Sequence, residues 1–278
     1  MKFTVLIENS GTEPLKCEHG LSILIEYGGE QFLLDAGTTD LFLENAKVVN
    51  APVWDVRTCF LSHGHYDHSG GFGTYLEENK DAILYMMQGA TEDYYSASGE
   101  MHQIGIPTEV IEKHKERFQF VAGVKQIQEG IYLVPHQTED LAKIGERAKL
   151  YRKVEDEFVS DDFSHEMSVV FDTKKGLVIF NSCSHGGAKN IIREVSEALP
   201  EKDIYAFIGG LHMKAKKDGK EISAFSEEEI RELSKELEQL GLQILYTGHC
   251  TGKPAMEFLK KYMGKRVKEL YTGLTVEI

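Results

Sequence analysis

Apolar residues follow two spacings along the chain, and together they predict a mixed α/β fold. In the first third, short apolar runs predict β-strands at residues 3–7, 22–27, 31–35, 57–62 and 83–87 and one helix at 72–79. In the last third, strands predicted at residues 168–173, 176–181, 204–208 and 243–246 alternate with helices predicted at 188–199, 227–240 and 254–262. Early strands followed by β/α alternation favour one domain, and 41% apolar residues are enough for a sizeable core.

The segment 88–165 is the least regular part of the chain. Its pattern predicts only a polar helix at 107–117 and short strands at 118–121 and 131–135. No linker rich in Pro, Gly or Ser interrupts the chain, and we find no internal repeat. A single α/β domain over residues 1–278 is therefore predicted.

Composition narrows the class of protein. A net charge of −14 makes general nucleic-acid binding unfavourable, because phosphates attract basic surfaces. The 4 cysteines are widely spaced without a paired pattern, which is typical of reduced thiols in the cytoplasm. No basic-then-apolar leader and no membrane-length apolar run is found, so we expect a cytoplasmic protein that binds no membrane.

One short segment concentrates side chains that bind metal ions. It holds His63, His65, Asp67 and His68, and thus three of the 11 histidines of the chain. His63 and His65 are two residues apart, so their imidazoles point to the same side of an extended segment. Imidazole and carboxylate suit zinc, iron(II) and manganese, and a loop with four such ligands can serve two adjacent ions. The segment predicts a metal site.

Other polar residues also lie where predicted strands end. Asp35 ends one strand, and His185, His212 and His249 each follow another. Side chains from several strand ends converge on one edge of a sheet. A carboxylate at such an edge can accept the free N–H of a ligating imidazole, which is the role we predict for Asp35. The alternative is that Asp35 only caps a turn.

Four motifs carry a resemblance to a known family. His63-Gly64-His65-Tyr66-Asp67-His68 has the form His-x-His-x-Asp-His, and with it the chain resembles the metallo-β-lactamase superfamily. Three further stretches resemble its branch of dihydropterin ribofuranosyl-aminobenzene phosphate synthase-like metal-dependent hydrolases: Asn181-Ser182-Cys183-Ser184-His185-Gly186-Gly187, Gly209-Gly210-Leu211-His212 and Gly248-His249-Cys250-Thr251-Gly252. The resemblance implies an αββα sandwich of two mixed β-sheets with outer helices and a site at one edge.

The resemblance also implies a ligand set. His63 and His65 would bind a first metal, and Asp67, His68 and His249 a second. We expect His185 to complete the first site. The superfamily usually has a Gly-Asp pair whose aspartate bridges both ions, whereas Ser182-Cys183 stands here. Alternative ligands therefore stay open, namely Cys183, His136, His165, Asp161, Asp162 and Glu166.

Two further roles are predicted beside the metal ligands. In phosphodiesterase members, a histidine after the equivalent strand protonates the leaving group, so His212 is expected to be a general acid. The alternative is a structural or ligating histidine. Lys214, Lys216 and Lys217 follow it and either receive a substrate phosphate or form a solvated surface. The remaining histidines, His19, His102 and His114, are expected at the surface.

The resulting hypothesis is a metal-dependent hydrolase, a phosphoesterase with a binuclear site. It would use a metal-bound hydroxide, oriented by Asp67, on a small anionic, phosphoester-containing metabolite. One or two divalent ions are expected, zinc first, with iron or manganese as alternatives. The rival functions are a pterin-pathway synthase, a metal-binding sensor without turnover, and a diiron redox enzyme. Diiron members normally carry a glutamate where His65 stands, which disfavours the redox function.

Overall fold

The computed structural model describes residues 1–278, and the chain forms two compact units. The first unit consists of Met1–Gly123, Pro135–Met167 and Tyr271–Ile278, and the second of Val124–Val134 and Ser168–Leu270. The single domain predicted from the sequence stays a prediction.

Strands dominate both units. The strands are β1 (Lys2–Ile7), β2 (Ser22–Tyr27), β3 (Glu30–Leu34), β4 (Thr58–Phe60), β5 (Ile83–Met87), β6 (Tyr94–Ser96), β7 (His102–Gln103), β8 (Phe118–Val121), β9 (Lys125–Gln128), β10 (Ile131–Pro135), β11 (Leu150–Val154), β12 (Glu157–Ser160), β13 (Met167–Thr173), β14 (Gly176–Phe180), β15 (Ile204–Ile208), β16 (Lys214–Lys217), β17 (Lys220–Ser223), β18 (Ile244–Thr247), β19 (Val267–Glu269) and β20 (Thr275–Glu277). The α-helices are α1 (Leu41–Val48), α2 (Tyr66–Ser69), α3 (Phe72–Glu78), α4 (Thr108–His114), α5 (Leu141–Ala148), α6 (Ala188–Ala198), α7 (Glu227–Gln239) and α8 (Lys253–Met263). Short 3-10 turns lie at Val53–Asp55, Gln88–Thr91, Lys115–Arg117, His249–Thr251 and Gly264–Arg266.

The main sheet of the first unit has the order β20-β1-β2-β3-β4-β5-β8. The first part is antiparallel, and the hairpin of β2 and β3 turns through Gly28 and Gly29, which both have positive φ (62° and 85°). This is the backbone that a two-residue hairpin turn requires. From β3 to β8 the strands are parallel. Asp35 follows β3 and the histidine loop follows β4, so parallel neighbours deliver both to one edge.

Two helices cover apolar residues of this sheet. Phe42 of α1 and Phe72 of α3 lie in one buried cluster with Leu24 and Leu33 of the sheet. Burial of each such side chain contributes about 1.5–3 kcal/mol to stability. Tyr75 of α3 donates its hydroxyl to the carbonyl of Val53 at 2.8 Å, which holds the 3-10 turn before β4.

The first unit also contains a small sheet of order β12-β11-β6-β7, which the sequence pattern did not predict. Its strands are two to five residues long, and apolar side chains such as Val154 and Phe158 are exposed. Tyr94 of β6, in contrast, is fully buried with Leu150 of β11 and Phe163. This sheet places structure within the segment 88–165, where the sequence signal is weakest.

The second unit has the sheet order β19-β18-β15-β14-β13-β10-β9. From β14 to β19 the strands are parallel, and β13 with β14 forms the predicted hairpin. Helix α6 buries Ile191, Ile192 and Val195, as its helical spacing predicts. Helix α7 begins with a capping box of Ser226 and Glu229.

Most predicted elements lie within one or two residues of the observed ones. Helix α1 and the β16–β17 hairpin were missed. His114 is buried in α4, so its predicted place at the surface is wrong; burial lowers the pKa of this imidazole. None of the helices is both long and apolar enough to cross a lipid bilayer.

Candidate metal centre

The loop after β4 gathers three imidazoles in the first unit. His63 and His68 are fully buried, and His65 is only 4% exposed. The ring of His63 lies 4.5 Å from that of His65 and 4.3 Å from that of His68, measured between centroids. The chain turns sharply there, because the N–H of His68 donates to the carbonyl of His65 and opens α2. Three predicted ligands are thus neighbours.

Asp35 organises two of these imidazoles from the end of β3. It is fully buried, and its Oδ2 lies 2.7 Å from Nδ1 of His68. Its two oxygens also accept the N–H and the hydroxyl of Ser62, at 2.8 and 2.7 Å. Since the Ser62 hydroxyl gives its proton to Asp35, its oxygen accepts from Nδ1 of His63, 2.9 Å away. Both histidines therefore use Nδ1 as a hydrogen-bond donor, which leaves Nε2 as the ring atom that can face a cation.

The electrostatics of the loop suit a cation. Burial alone would lower the pKa of His68, but the carboxylates of Asp67 and Asp35 raise it to about 10. A position that stabilises a proton so strongly also favours a positive ion. Burial, with the nearby His165, lowers the pKa of His65 to about 3, so that this imidazole is neutral and can act as a ligand.

Asp67 sits at the edge of this group. It is 7% exposed, and its Oδ2 lies 3.5 Å from Nε2 of His68. The same oxygen lies 3.2 Å from Nε2 of His19, whose side chain is about half exposed. His19 is at the surface as predicted, but its contact with Asp67 was missed. Nothing in the pattern around His19 signals that contact, because tertiary folding alone brings the two together.

The second unit holds its own group of candidate residues. Cys183 and His185 follow β14, and both are buried. Ser184 between them is fixed by the side chain of Asn181, which accepts its N–H at 2.7 Å. The rings of His185 and His212 lie 4.3 Å apart. The fold of this unit thus brings the predicted third ligand next to the predicted general acid.

His249 and its neighbours form a tight turn after β18. His249 is buried, and the hydroxyls of Thr247 and Thr251 lie 2.6 Å apart across the turn. The thiol of Cys250 accepts the N–H of His212 at 3.3 Å. A Cβ on Gly210 would lie 2.4 Å from that sulfur, so only glycine fits there. Cys250 therefore shapes the turn that presents His249 and holds it to the His212 segment.

Four residues of these two groups have strained backbone. Their φ angles are 55° for Asp35, 55° for Ser184, 46° for His212 and 50° for His249. Left-handed backbone is uncommon outside glycine and concentrates at functional positions. This conformation turns the chain sharply at the end of the strand. Each side chain therefore points in a direction that a continuing extended strand would not allow.

The alternative ligands His136 and His165 are also buried. His165 accepts the N–H of Gly64 through Nδ1 at 2.9 Å, and its Nε2 lies 3.1 Å from Asp161. Asp162 forms an ion pair with Arg152 at 3.0 Å. His136 donates its backbone N–H to the carbonyl of Glu166. The histidine loop thus has a further buried imidazole, that of His165, beside it.

Comparison with known proteins assigns the family. Residues 15–147 match the model described as the metallo-beta-lactamase superfamily. The protein MJ0448 of Methanocaldococcus jannaschii is 30% identical over 224 residues, covering 75% of this chain and 78% of that protein. The chain belongs to the metallo-β-lactamase superfamily. The resemblance of its His-x-His-x-Asp-His motif is thereby confirmed.

Two further proteins are similar to this chain over nearly its whole length. The 7,8-dihydropterin-6-methyl-4-(beta-D-ribofuranosyl)-aminobenzene-5'-phosphate synthase of M. jannaschii is 29% identical over 280 residues, 95% of this chain and 91% of the synthase. The crystal structure of Tm1679, described as a metal-dependent hydrolase of the beta-lactamase superfamily, superposes with a TM-score of 0.83 at 27% identity. That match covers 100% of this chain and 99% of Tm1679.

A more distant structure shares the fold alone. The zinc-bound PqqB of Methylobacterium extorquens has a TM-score of 0.58 at 13% identity and covers 100% of both chains. The predicted metallo-β-lactamase fold is therefore confirmed. The donor groups described above, buried imidazoles beside carboxylates with Nδ1 of His63 and His68 held by hydrogen bonds, fit the divalent metals that this superfamily typically binds.

Proposed function

We propose that the protein is a metal-dependent hydrolase that acts on a small anionic, phosphoester-containing metabolite. The observation that carries the proposal is the buried network in which Asp35 and Ser62 fix the protons of His63 and His68 on Nδ1. A loop that only needed polar surface would not bury three imidazoles and hold Nδ1 of two of them with hydrogen bonds. The similarity to Tm1679 over the whole chain supports the same reaction class.

The metal ligands in this proposal are the six residues predicted from the sequence: His63, His65, Asp67, His68, His185 and His249. Zinc is the expected metal, with iron and manganese as the alternatives, because imidazole and carboxylate suit all three. When bound, the ion supplies an activated water as nucleophile and stabilises the charge that develops in the attack.

Side chains of the protein orient the water, hold a ligand in position and donate a proton. In this proposal the Asp67 carboxylate accepts a hydrogen bond from the attacking water and so orients it. Asp35 keeps the ring of His68 in one position throughout turnover. His212 delivers a proton to the departing oxygen, since an imidazole can donate near neutral pH. Its backbone N–H, held by Cys250, limits the movement of that segment.

The anionic character of the substrate is supported by the β16–β17 hairpin, which begins two residues after His212. Lys214 pairs with Glu221 at 3.5 Å, whereas the side chains of Lys216 and Lys217 extend into the exposed part of the hairpin. On a protein with net charge −14, this is a local positive surface. It is suited to receive a phosphate group.

A substrate screen tests the proposal. The zinc-loaded protein would be assayed on phosphomonoesters, phosphodiesters, lactones and thioesters, with the His65→Ala variant beside it. We expect hydrolysis of at least one phosphoester class and its loss in the variant. His102→Ala, which changes an exposed histidine of β7, serves as the matched control and should keep the activity. Tight metal binding without turnover of any class would instead support the metal-binding sensor.

A second candidate is a pterin-pathway synthase, favoured by the 29% identity to the M. jannaschii synthase over nearly the whole chain. The name of that enzyme's product implies a bond between the 6-methyl carbon of a dihydropterin and a ribofuranosyl-aminobenzene 5'-phosphate. Incubation with an activated dihydropterin and that aminobenzene phosphate, followed by mass spectrometry, separates the two candidates. Formation of the joined product would replace the hydrolase proposal.

A further inference from the structure

The imidazole of His165 makes two hydrogen bonds that define its tautomer. It is fully buried beside the histidine loop, and its Nδ1 accepts the N–H of Gly64 at 2.9 Å. Because a peptide N–H can only donate, Nδ1 must present a lone pair. The neutral ring then carries its proton on Nε2, which donates to Oδ2 of Asp161 at 3.1 Å. Both ring nitrogens are therefore engaged.

This tautomer makes His165 unsuitable as a metal ligand. The ligand atoms of His65, Asp161 and His165 lie within 4.8 Å of one another, a spacing that by itself fits a cation. A cation on Nε2 would require the proton to move to Nδ1, where it would face the N–H of Gly64. A cation on Nδ1 would displace that N–H and leave it buried without an acceptor, which costs about 1–3 kcal/mol.

Asp161 is anchored independently of the histidine loop. Its Oδ1 accepts the N–H of Phe163 at 2.8 Å, and its own N–H donates to Leu150 of β11 at 3.0 Å. A Cβ on Gly145 of α5 would lie 2.2 Å from the backbone carbonyl oxygen of Asp161, so the helix and the Asp161 backbone are in close contact. Burial would raise the pKa of Asp161, but His165 and the N–H of Phe163 lower it, which favours the ionised acceptor.

Gly64, at the other end of the chain of hydrogen bonds, joins the ligands His63 and His65. A Cβ at this position would lie 2.3 Å from the carbonyl of Ala90, so the Gly64 backbone is pressed against the 3-10 turn Gln88–Thr91. Tyr94 holds that turn by donating its hydroxyl to Gly89 at 2.7 Å, and its ring lies 4.0 Å from the ring of His165. The peptide between the two ligands is thus held from two directions.

We propose that Asp161 and His165 are positioning residues for the metal-binding loop. Asp161 fixes the ring of His165, and His165 fixes the peptide of Gly64, so that His63 and His65 keep their relative orientation before a cation arrives. The inference rests on the metal-binding part of the proposed function and is independent of the substrate. Asp161 and His165 would thus act by orienting the loop, without binding the metal and without transferring a proton.

Two substitutions of His165 separate its two hydrogen bonds. The side-chain oxygen of asparagine reaches the place of Nδ1, so His165→Asn keeps an acceptor for Gly64. The terminal amide of glutamine reaches the place of Nε2, so His165→Gln keeps only the contact with Asp161. Zinc affinity, measured by competition with a chromogenic chelator, should fall about 10- to 100-fold in His165→Gln, the range for residues that orient metal ligands. His165→Asn should bind zinc more tightly than His165→Gln.

His114→Gln is the matched control, since it removes a buried imidazole of the same unit away from the loop. It should keep the zinc affinity of the natural protein. Equal zinc affinity in His165→Gln and the natural protein would overturn the proposal, and so would an equal loss in His114→Gln. A proton that leaves Nε2 of His165 when Zn²⁺ is added, observed by magnetic resonance with labelled histidine nitrogens, would show a ligand instead. Neither measurement uses a substrate, and the magnetic-resonance measurement uses the natural protein. Failure of this proposal is therefore distinguishable from failure of the proposed hydrolase activity.

Discussion

Oδ2 of Asp35 lies 2.7 Å from Nδ1 of His68, and neither residue has any exposed surface. The same carboxylate holds Ser62, which in turn holds His63. One aspartate at the end of β3 therefore sets the tautomer of two predicted ligands on the loop that follows β4. The parallel pairing of β3 with β4 is what brings them together.

The first prediction concerns metal content. Protein purified without chelators is expected to carry one to two transition ions per chain, because its imidazoles and carboxylates form a preorganised donor set. His65→Ala should lose most of this metal, whereas His102→Ala should retain it. Elemental analysis that finds less than about half an ion per chain in the natural protein would contradict the prediction.

The second prediction concerns Asp35. Asp35→Asn removes the charge that fixes Nδ1–H of His68, so metal affinity should fall about 10- to 100-fold. Chelator competition measures the affinity, and circular dichroism checks the fold. Asp156→Asn, on a fully exposed aspartate, is the matched control. Unchanged affinity in Asp35→Asn would mean that Asp35 only caps the turn after β3.

The third prediction separates His185 from Cys183 as the remaining ligand. We expect His185→Ala to lose metal and Cys183→Ser to keep it, because a neutral imidazole ligates without losing a proton. Metal content of both variants, measured side by side after dialysis, decides between them. The opposite outcome, metal lost from the serine variant alone, would transfer the role to the Cys183 thiolate.

The fourth prediction concerns His212. His212→Ala should retain its metal and slow the hydrolysis of alkyl phosphoesters by about 100- to 10,000-fold, since those leaving groups need a proton. Nitrophenyl esters, whose leaving groups need none, should be partly spared. Steady-state rates on matched pairs of esters measure the difference. Loss of one ion per chain, or equal slowing of both ester types, would make His212 a ligand or a structural residue.

The fifth prediction concerns thiol reactivity. Burial raises the pKa of Cys59 to about 12, against smaller opposing effects of Tyr75 and Arg117, so this thiol is protonated at neutral pH. Since only the thiolate reacts, Cys59 should resist alkylation in the folded protein while the exposed Cys17 reacts. Peptide mass spectrometry after brief treatment with iodoacetamide measures both. Labelling of Cys59 as fast as Cys17 in folded protein would show that the first unit opens readily.

Much of the fold was predictable, because continuous apolar runs mark strands buried on both faces. The strands Ser22–Tyr27 and Ile83–Met87 were predicted with their observed ends. The small sheet was missed, since strands such as His102–Gln103 are too short and exposed to show a period. The hairpin Lys214–Ser223 was missed for the same reason, its residues being polar on both faces.

Only part of the candidate site could be predicted from the sequence. The histidine loop was predictable because its residues are close in sequence. The contact of His19 with Asp67 and the hydrogen bond of Gly64 with His165 were not, since each joins segments far apart in sequence. The spacing of apolar and polar residues along the chain does not predict such contacts. They depend on how β-strands and turns approach each other after the backbone has folded.

The left-handed backbone at Asp35, Ser184, His212 and His249 lowers the free energy of unfolding while it positions side chains for chemistry. Each such residue costs of the order of 1–3 kcal/mol, against a net stability of about 5–15 kcal/mol for a typical domain. Glycine would relieve the strain at all four positions and would remove the carboxylate and both imidazoles with it. A lineage selected only for staying folded would drift toward glycine there. The bulkier side chains at these four bends therefore lower stability and serve something other than folding.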